Sequence, residues 1–85
     1  MNRKHNKIFA AIFCTPTIAT IKFTNIEKLL ISIGAEVTEG NGSRVAYTYK
    51  GLKLFLHRPH PGKEARKYQV EAVREFLEMV GIRDE

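Results

Sequence analysis

Two side chains in the middle of the sequence, His57 and Arg44, are of types that together could process a phosphodiester. A histidine imidazole takes up and releases protons near neutral pH, and an arginine guanidinium holds phosphate oxygens through a rigid fork of donors. Cleavage of RNA needs both actions, because a proton must move at an oxygen while the charge on the reacting phosphate is stabilised. The pair therefore suggests a nuclease site. The simpler interpretation is that His57 is a polar residue at the end of a strand.

Whether these two side chains meet depends on a predicted β-hairpin. Within residues 44–57, two runs of β-branched and aromatic character are joined by Lys50 and Gly51, which is typical of a two-residue turn. In that register Arg44 lies directly opposite His57. Alternation along the strands separates an apolar core face from an open face. The open face is predicted to carry Arg44, Ala46, Thr48, Lys53, Phe55 and His57.

Two helices are predicted before the hairpin. An apolar stripe predicts the first over Arg3–Cys14, and Pro16 ends it because proline removes a donor and restricts the residue before it. The second is predicted to begin at Thr24, which has the spacing of a capping box with Glu27. It ends at Gly34, a residue suited to the left-handed position after a helix.

A short strand at Ala35–Thr38 and a last helix at Lys67–Val80 complete the predicted elements. The fold class is therefore α+β, in the order helix, helix, three strands, helix. We expect a three-stranded antiparallel sheet with helices on one face. The length of 85 residues predicts a single domain, 1–85.

The net charge of +5 is unevenly distributed. Asn41–Lys67 holds seven basic residues and one acidic residue, whereas Tyr68–Glu85 holds two basic and five acidic residues. A basic middle indicates a surface for a polyanion such as RNA, or alternatively a solvated face without a ligand. If RNA binds, the residues predicted to contact it are Ser43, Lys50, Lys53, Arg58, His60 and Lys63.

Other classes of protein receive no support from the sequence. Cys14 is the single cysteine, so no intrachain disulfide can form and a reducing compartment is expected. The apolar run Ile8–Cys14 is too short to cross a bilayer. No phosphate-binding glycine loop and no metal-ligand spacing is present. We expect a cytoplasmic protein without membrane association, bound metal or small-molecule cofactor.

Several short motifs follow one another in order along the chain. They are Ile26-Glu27-Lys28-Leu29-Leu30 with Gly34 after it, Gly42-Ser43, Pro59-His60-Pro61-Gly62, and Gly81. Together they make the segment Ile26–Ile82 resemble the HicA family of toxins from bacterial toxin–antitoxin pairs. The Gly-Ser pair and the Pro-His-Pro-Gly stretch at this separation are the most specific part of the likeness.

The resemblance implies a fold like that of double-stranded-RNA-binding domains, α-β-β-β-α, over residues 23–82, with residues 1–22 as an N-terminal helical extension. It also implies a function: the toxin of a type II toxin–antitoxin system, acting as a metal-independent endoribonuclease, or mRNA interferase, that cleaves messenger RNA. In that case the partners are RNA and a HicB-like antitoxin protein that covers the open sheet face.

One position departs from the family pattern. The family usually carries its catalytic histidine just after the Gly-Ser pair, where this chain has Arg44 and Val45. One hypothesis is that catalysis has moved across the hairpin to His57, with Arg44 binding the phosphate. The alternative is a non-catalytic RNA-binding or protein-interaction module of the same fold. We favour the first, because directly opposed residues have Cβ atoms only about 5 Å apart.

Overall fold

A computed structural model describes residues 3–60 and 62–82. The helices are α1 (Arg3–Ile12), α2 (Phe23–Ser32) and α3 (Lys67–Met79), and the strands are β1 (Glu36–Glu39), β2 (Arg44–Tyr49) and β3 (Leu52–His57). Strand β1 and helix α3 differ from their predicted bounds by one residue. In the part of the chain that is described, no helix is long and apolar enough to span a membrane.

The three strands form one antiparallel sheet in the order β1-β2-β3. Lys50 and Gly51 join β2 to β3 and have positive φ angles of 51° and 79°. This is the backbone of a type I′ turn, whose twist matches that of the flanking strands. The turn fixes a register in which Tyr49 lies opposite Leu52 and Arg44 lies opposite His57. The predicted hairpin and its register are confirmed.

The two faces of the sheet differ in burial as predicted. Val45, Tyr47, Leu54 and Leu56 are buried under the helices, whereas Phe55 on the other face is 70% exposed. The helices therefore cover one face and leave the second open. The α+β class and the α-β-β-β-α layout after an extra helix are confirmed.

Helix α1 packs against the core through buried Phe9 and Ile12. It ends two residues before the predicted boundary at Cys14. The guanidinium of Arg74, on α3, binds two carbonyls at this end. Arg74 Nε donates to the Ile12 carbonyl at 2.8 Å and Nη2 donates to the Cys14 carbonyl at 3.0 Å. These bonds satisfy carbonyls that a helix end leaves without partners.

The predicted capping box at the start of α2 is wrong. The helix begins at Phe23 with Lys22 as its N-cap, and no side chain caps it. Glu27 does not turn back to the helix terminus, because its carboxylate accepts a hydrogen bond from the Tyr47 hydroxyl and pairs with Arg58. The Tyr47 hydroxyl and the Arg58 guanidinium thus take the place of the backbone N–H that a capping box would have offered to Glu27.

Candidate active site

The open face of the sheet contains a shallow groove of about 490 Å³, here called the sheet groove. All three strands and the β1–β2 loop contribute to it. Its walls are formed by Thr38, Gly40, Asn41, Arg44, Val45, Ala46, Thr48, Lys53, Phe55, Leu56 and His57. The hairpin supplies most of this lining, which includes the cross-strand pair Arg44 and His57.

Arg44 and His57 form a cross-strand pair of the closely spaced type. The Arg58 N–H donates to the Ser43 carbonyl at 2.8 Å, which makes Ser43 and Arg58 a hydrogen-bonded pair. The adjacent pair, Arg44 with His57, is then a non-hydrogen-bonded one. In pairs of that type the Cα atoms are about 4.5 Å apart and the side chains are closer together. Both side chains are exposed on the open face.

Ser43 makes the side-chain contact that orients His57. Its Oγ lies 3.4 Å from His57 Nδ1, in a long hydrogen bond. With Nδ1 engaged in this way, Nε2 is the ring nitrogen available to a ligand in the groove. Ser43 thus acts on the imidazole, in addition to its predicted place beside RNA.

The backbone of His57 is held by a buried side chain that the sequence analysis missed. Gln69 on α3 is 2% exposed. Its Nε2 donates to the His57 carbonyl at 2.6 Å, and its Oε1 accepts from the Arg66 N–H at 3.0 Å. Gln69 falls on the buried stripe of α3 with Val73 and Phe76. A polar residue on an apolar stripe is the signal that could have identified it.

Two further predicted RNA contacts, Lys53 and Lys50, occupy very different positions. Lys53 is exposed on the open face, four residues before His57 and so about 13 Å along β3. Lys50 lies in the turn at the opposite end of the hairpin, where its Nζ is 3.5 Å from the Val80 carbonyl and 5.4 Å from the centre of the Tyr49 ring. The fold brings Lys53, but not Lys50, onto the face of the proposed site.

Arg58 faces the helices and not the open face. Its Nη2 lies 2.7 Å from Glu27 and 3.0 Å from Glu39, and its side chain is 32% exposed. The hydrogen bond to Glu27 raises the pKa of the Arg58 guanidinium further. Arg58 takes this side because the strand alternation that puts Leu54 and Leu56 inside continues to position 58. Its contact with RNA stays a prediction.

Glu27 and Tyr47 complete this cluster on the helix side. Burial alone would raise the pKa of Glu27, but hydrogen bonds from Arg58 and Tyr47 outweigh burial and leave that pKa below its usual value. Burial, together with the hydrogen bond to Glu27, raises the pKa of the Tyr47 hydroxyl far above its usual value. Glu27 therefore stays ionised and Tyr47 stays neutral over the physiological range, which keeps the ion pair with Arg58 intact.

His60 and Lys63 lie beyond the end of β3. Both are exposed, and both line a different groove, between residues 19–22 and 59–67. Of the predicted site residues, the fold thus brings Ser43, Arg44 and His57 together, with Lys53 further along the same face.

Comparison with known proteins identifies the family. A family model for the HicA toxin of bacterial toxin–antitoxin pairs matches residues 23–82, more than half of the chain. The chain belongs to the HicA toxin family. No curated protein and no solved structure matches it.

The matched HicA region contains the whole hairpin, the Gly42-Ser43 pair and the segment after β3. Within that region, neither Arg44 nor Val45 is a histidine. The imidazole nearest to the Gly-Ser pair is that of His57, which reaches it from the neighbouring strand through the Ser43 hydroxyl. In this HicA protein the imidazole beside the Gly-Ser pair thus comes from the cross-strand position.

Proposed function

We propose that this HicA-family toxin is an endoribonuclease that cleaves messenger RNA and is neutralised by a HicB-like antitoxin. The observation that carries the proposal is the non-hydrogen-bonded pairing of His57 with Arg44 in a groove on the uncovered face of the sheet. The imidazole supplies proton transfer, and the guanidinium supplies a charge-matched contact for a phosphate.

The reaction is an attack of a ribose 2′-oxygen on the adjacent phosphorus. The O–H bond of the 2′-hydroxyl breaks, a bond forms from that oxygen to phosphorus, and the bond from phosphorus to the 5′-oxygen breaks. The products are a cyclic 2′,3′-phosphate and a 5′-hydroxyl. His57 Nε2 either accepts the 2′ proton or donates a proton to the departing 5′-oxygen, and a water molecule handles the other proton. Arg44 stabilises the charge on the phosphate oxygens.

Other residues of the open face support binding of the substrate. Lys53 offers a second phosphate contact along β3, and Phe55, which is 70% exposed, offers a ring on which a base can stack. The same exposed ring suits an antitoxin that covers this face, since aromatic side chains are common anchors at protein interfaces. Covering the groove would block access to His57. A target in messenger RNA implies that the toxin works in the cytoplasm.

The first test is the change His57→Ala. Proton transfer by a positioned histidine contributes roughly 10²–10⁴ in rate, so we expect cleavage of a transcript in vitro to fall by that factor and growth inhibition on expression to disappear. Cleavage by the unchanged protein is expected to persist in a chelator, because the sequence offers no metal-ligand spacing.

The matched control is His5→Ala, which removes a histidine from α1, on a different element of the fold. Identical purification of both variants excludes a contaminating nuclease as the source of activity. If His57→Ala protein cleaves as fast as the His5→Ala protein, His57 has no place in the mechanism.

A second candidate function is a non-catalytic RNA-binding or protein-interaction module of the same fold. It is favoured by the absence of histidine at positions 44 and 45. This candidate predicts RNA binding that weakens steeply with salt, without any cleavage. Transcript degradation that is abolished by His57→Ala would exclude it.

A further inference from the structure

A second groove lies beyond the end of β3 and is separate from the sheet groove. Its volume is about 600 Å³, and we call it the basic groove. Five cationic or protonatable side chains line it, and all five are exposed: Lys22, His60, Lys63, Arg66 and Lys67. Glu64 is the acidic residue in its lining. Three of these five residues, Lys22, Arg66 and Lys67, have no part in the proposed active site.

Backbone hydrogen bonds hold the two walls of the basic groove together. The Phe23 N–H donates to the Lys63 carbonyl at 2.9 Å, and the Ala65 N–H donates to the Ile21 carbonyl at 2.8 Å. Ala65 is 1% exposed and anchors the loop in the core. The loop that carries the cations is therefore fixed against the segment before α2, and the positive charges are held near one another.

The cations of the basic groove outnumber the acidic residue among them, Glu64, whose backbone pairs with that of Lys22. In residues 3–60 and 62–82, no ion pair involves Lys22, Lys63, Arg66 or Lys67, and the neighbouring Glu64 is unpaired as well. Four positive charges beside one negative charge repel one another, and this repulsion disfavours the folded state. A fixed group of cations that outnumbers its acidic neighbours and forms no ion pairs is typical of a surface that binds a polyanion.

The remaining walls favour RNA over a protein as the occupant. Apart from the charged side chains, the lining consists of small residues and a proline: Ala19, Pro59, Gly62 and Ala65. Protein interfaces are anchored by aromatic and large apolar residues in packed pockets, and none of the described residues that line this groove is of that kind. Lysine and arginine around small residues fit a phosphate backbone that carries charge but needs no apolar pocket.

We propose that the basic groove binds the phosphate backbone of the RNA on one side of the cleavage point. This inference rests on the proposed function, since it extends the RNA path away from the sheet groove. His57 lines one groove and His60 lines the other, and three residues of extended chain span at most about 11 Å. The hydrogen bond from Gln69 fixes the His57 carbonyl to the start of α3, so the position of one groove relative to the other is fixed. One strand of RNA can contact both.

The test compares two triple variants that remove the same amount of charge. The first is Lys22→Gln, Lys63→Gln and Lys67→Gln in the basic groove. The control triple is Lys4→Gln, Lys7→Gln and Lys28→Gln, at exposed positions outside both grooves. Both are made in the His57→Ala background, so that RNA stays intact, and binding of a single-stranded RNA is measured over a range of salt.

Three lost phosphate contacts lower the slope of log affinity against log salt by about 2, since each contact to single-stranded nucleic acid contributes about 0.7. At 0.1 M salt this is a loss of roughly 100-fold in affinity. We expect the control triple to lose less than about threefold. Circular dichroism checks that both triples stay folded, and Arg66→Gln alone, with an expected slope change of about 0.7, serves if the groove triple does not fold.

The outcomes separate this inference from the proposed function. If the unchanged protein cleaves transcripts but the two triples bind RNA equally well, the basic groove is not an RNA site and the nuclease proposal stands. If the unchanged protein cleaves nothing but the groove triple alone loses RNA binding, the groove is an RNA site in a non-catalytic module. If the groove triple binds RNA as well as the control triple does but loses binding to an acidic protein, the basic groove is a protein-binding site. That result overturns the inference as well.

Discussion

Arg44 and Arg58 lie one step apart in the hairpin register and have opposite surroundings. Arg44 is exposed on the open face, where no carboxylate in the described residues pairs with it. Arg58 points towards the helices, lies between Glu27 and Glu39, and has its guanidinium carbon 5.9 Å from the centre of the Phe23 ring. The same side chain is thus free for a ligand in one place and part of the structure in the other.

The difference shows how strand alternation divides polar groups between folding and function. Buried polar groups have protein partners: in the described part of the chain, no buried side-chain nitrogen or oxygen is left without a hydrogen bond. On the open side, Arg44 and Lys53 have none. Cationic side chains that have no hydrogen-bond or ion-pair partner within the protein are the ones that a phosphate can bind.

The largest effect that separates the two arginines is expected in cleavage. Arg44→Ala removes the cation that we propose lies beside the reacting phosphate, and loss of one such contact costs about 10²–10³ in rate. Arg44→Lys keeps the charge but loses the forked geometry, so we expect a rate between those of Arg44→Ala and the unchanged protein. Single-turnover cleavage of a labelled transcript measures both. Equal rates for all three proteins would remove Arg44 from the mechanism.

The next largest effect is expected in stability, where the change at Arg58 should matter more than the change at Arg44. Arg58→Ala leaves the Glu27 carboxylate, whose side chain is 19% exposed, without its cation. We expect the free energy of unfolding to fall by about 2 kcal/mol. Arg44→Ala, as the matched control, should change it by less than about 0.5 kcal/mol. Urea unfolding followed by circular dichroism compares them. A loss of the same size in both variants would contradict the division between the two faces.

The smallest effect is a pH dependence on the helix side. Because the pKa of Glu27 is lowered in the folded protein from its usual value of 4.5, its carboxylate contributes stability above that pH. The contribution is lost as the pH falls through the lower folded value. The stability difference between the unchanged protein and Glu27→Gln should therefore be constant above about pH 5 and shrink in more acidic solution. Urea midpoints measured between neutral and strongly acidic pH test this, and a difference that grows on acidification would contradict it.

The hairpin could be predicted well from the sequence, because residues within the hairpin itself determine its turn, register and faces. Turn residues with positive φ fix the register, and period-two alternation fixes the faces, so the pairing of Arg44 with His57 followed from the sequence. The roles of His57, Arg44 and the lysines as catalytic and RNA-binding groups remain predictions. The resemblance to the HicA family, seen first in short motifs, is confirmed by the family match.

Contacts between distant segments could not be predicted in the same way. Glu27 was assigned to a helix cap because local spacing cannot show that Tyr47 and Arg58 lie nearer in space. Gln69 was not identified from the sequence, because no local pattern shows that its partner is the carbonyl of His57. In each case the partner that decides the role of the side chain lies far away along the chain. Local patterns of residues therefore cannot reveal the contact.

The two hydrogen bonds from Arg74 to the carbonyls of Ile12 and Cys14 tie the end of the first helix to the last helix. A terminal helix held only by its own backbone frays independently of the rest of a domain. Here α1 cannot detach without breaking bonds to the last helix and uncovering Phe9 and Ile12. We therefore expect amide protons within α1 to exchange more slowly, and proteolysis within α1 to be slower, than in a terminal helix held only by its own backbone.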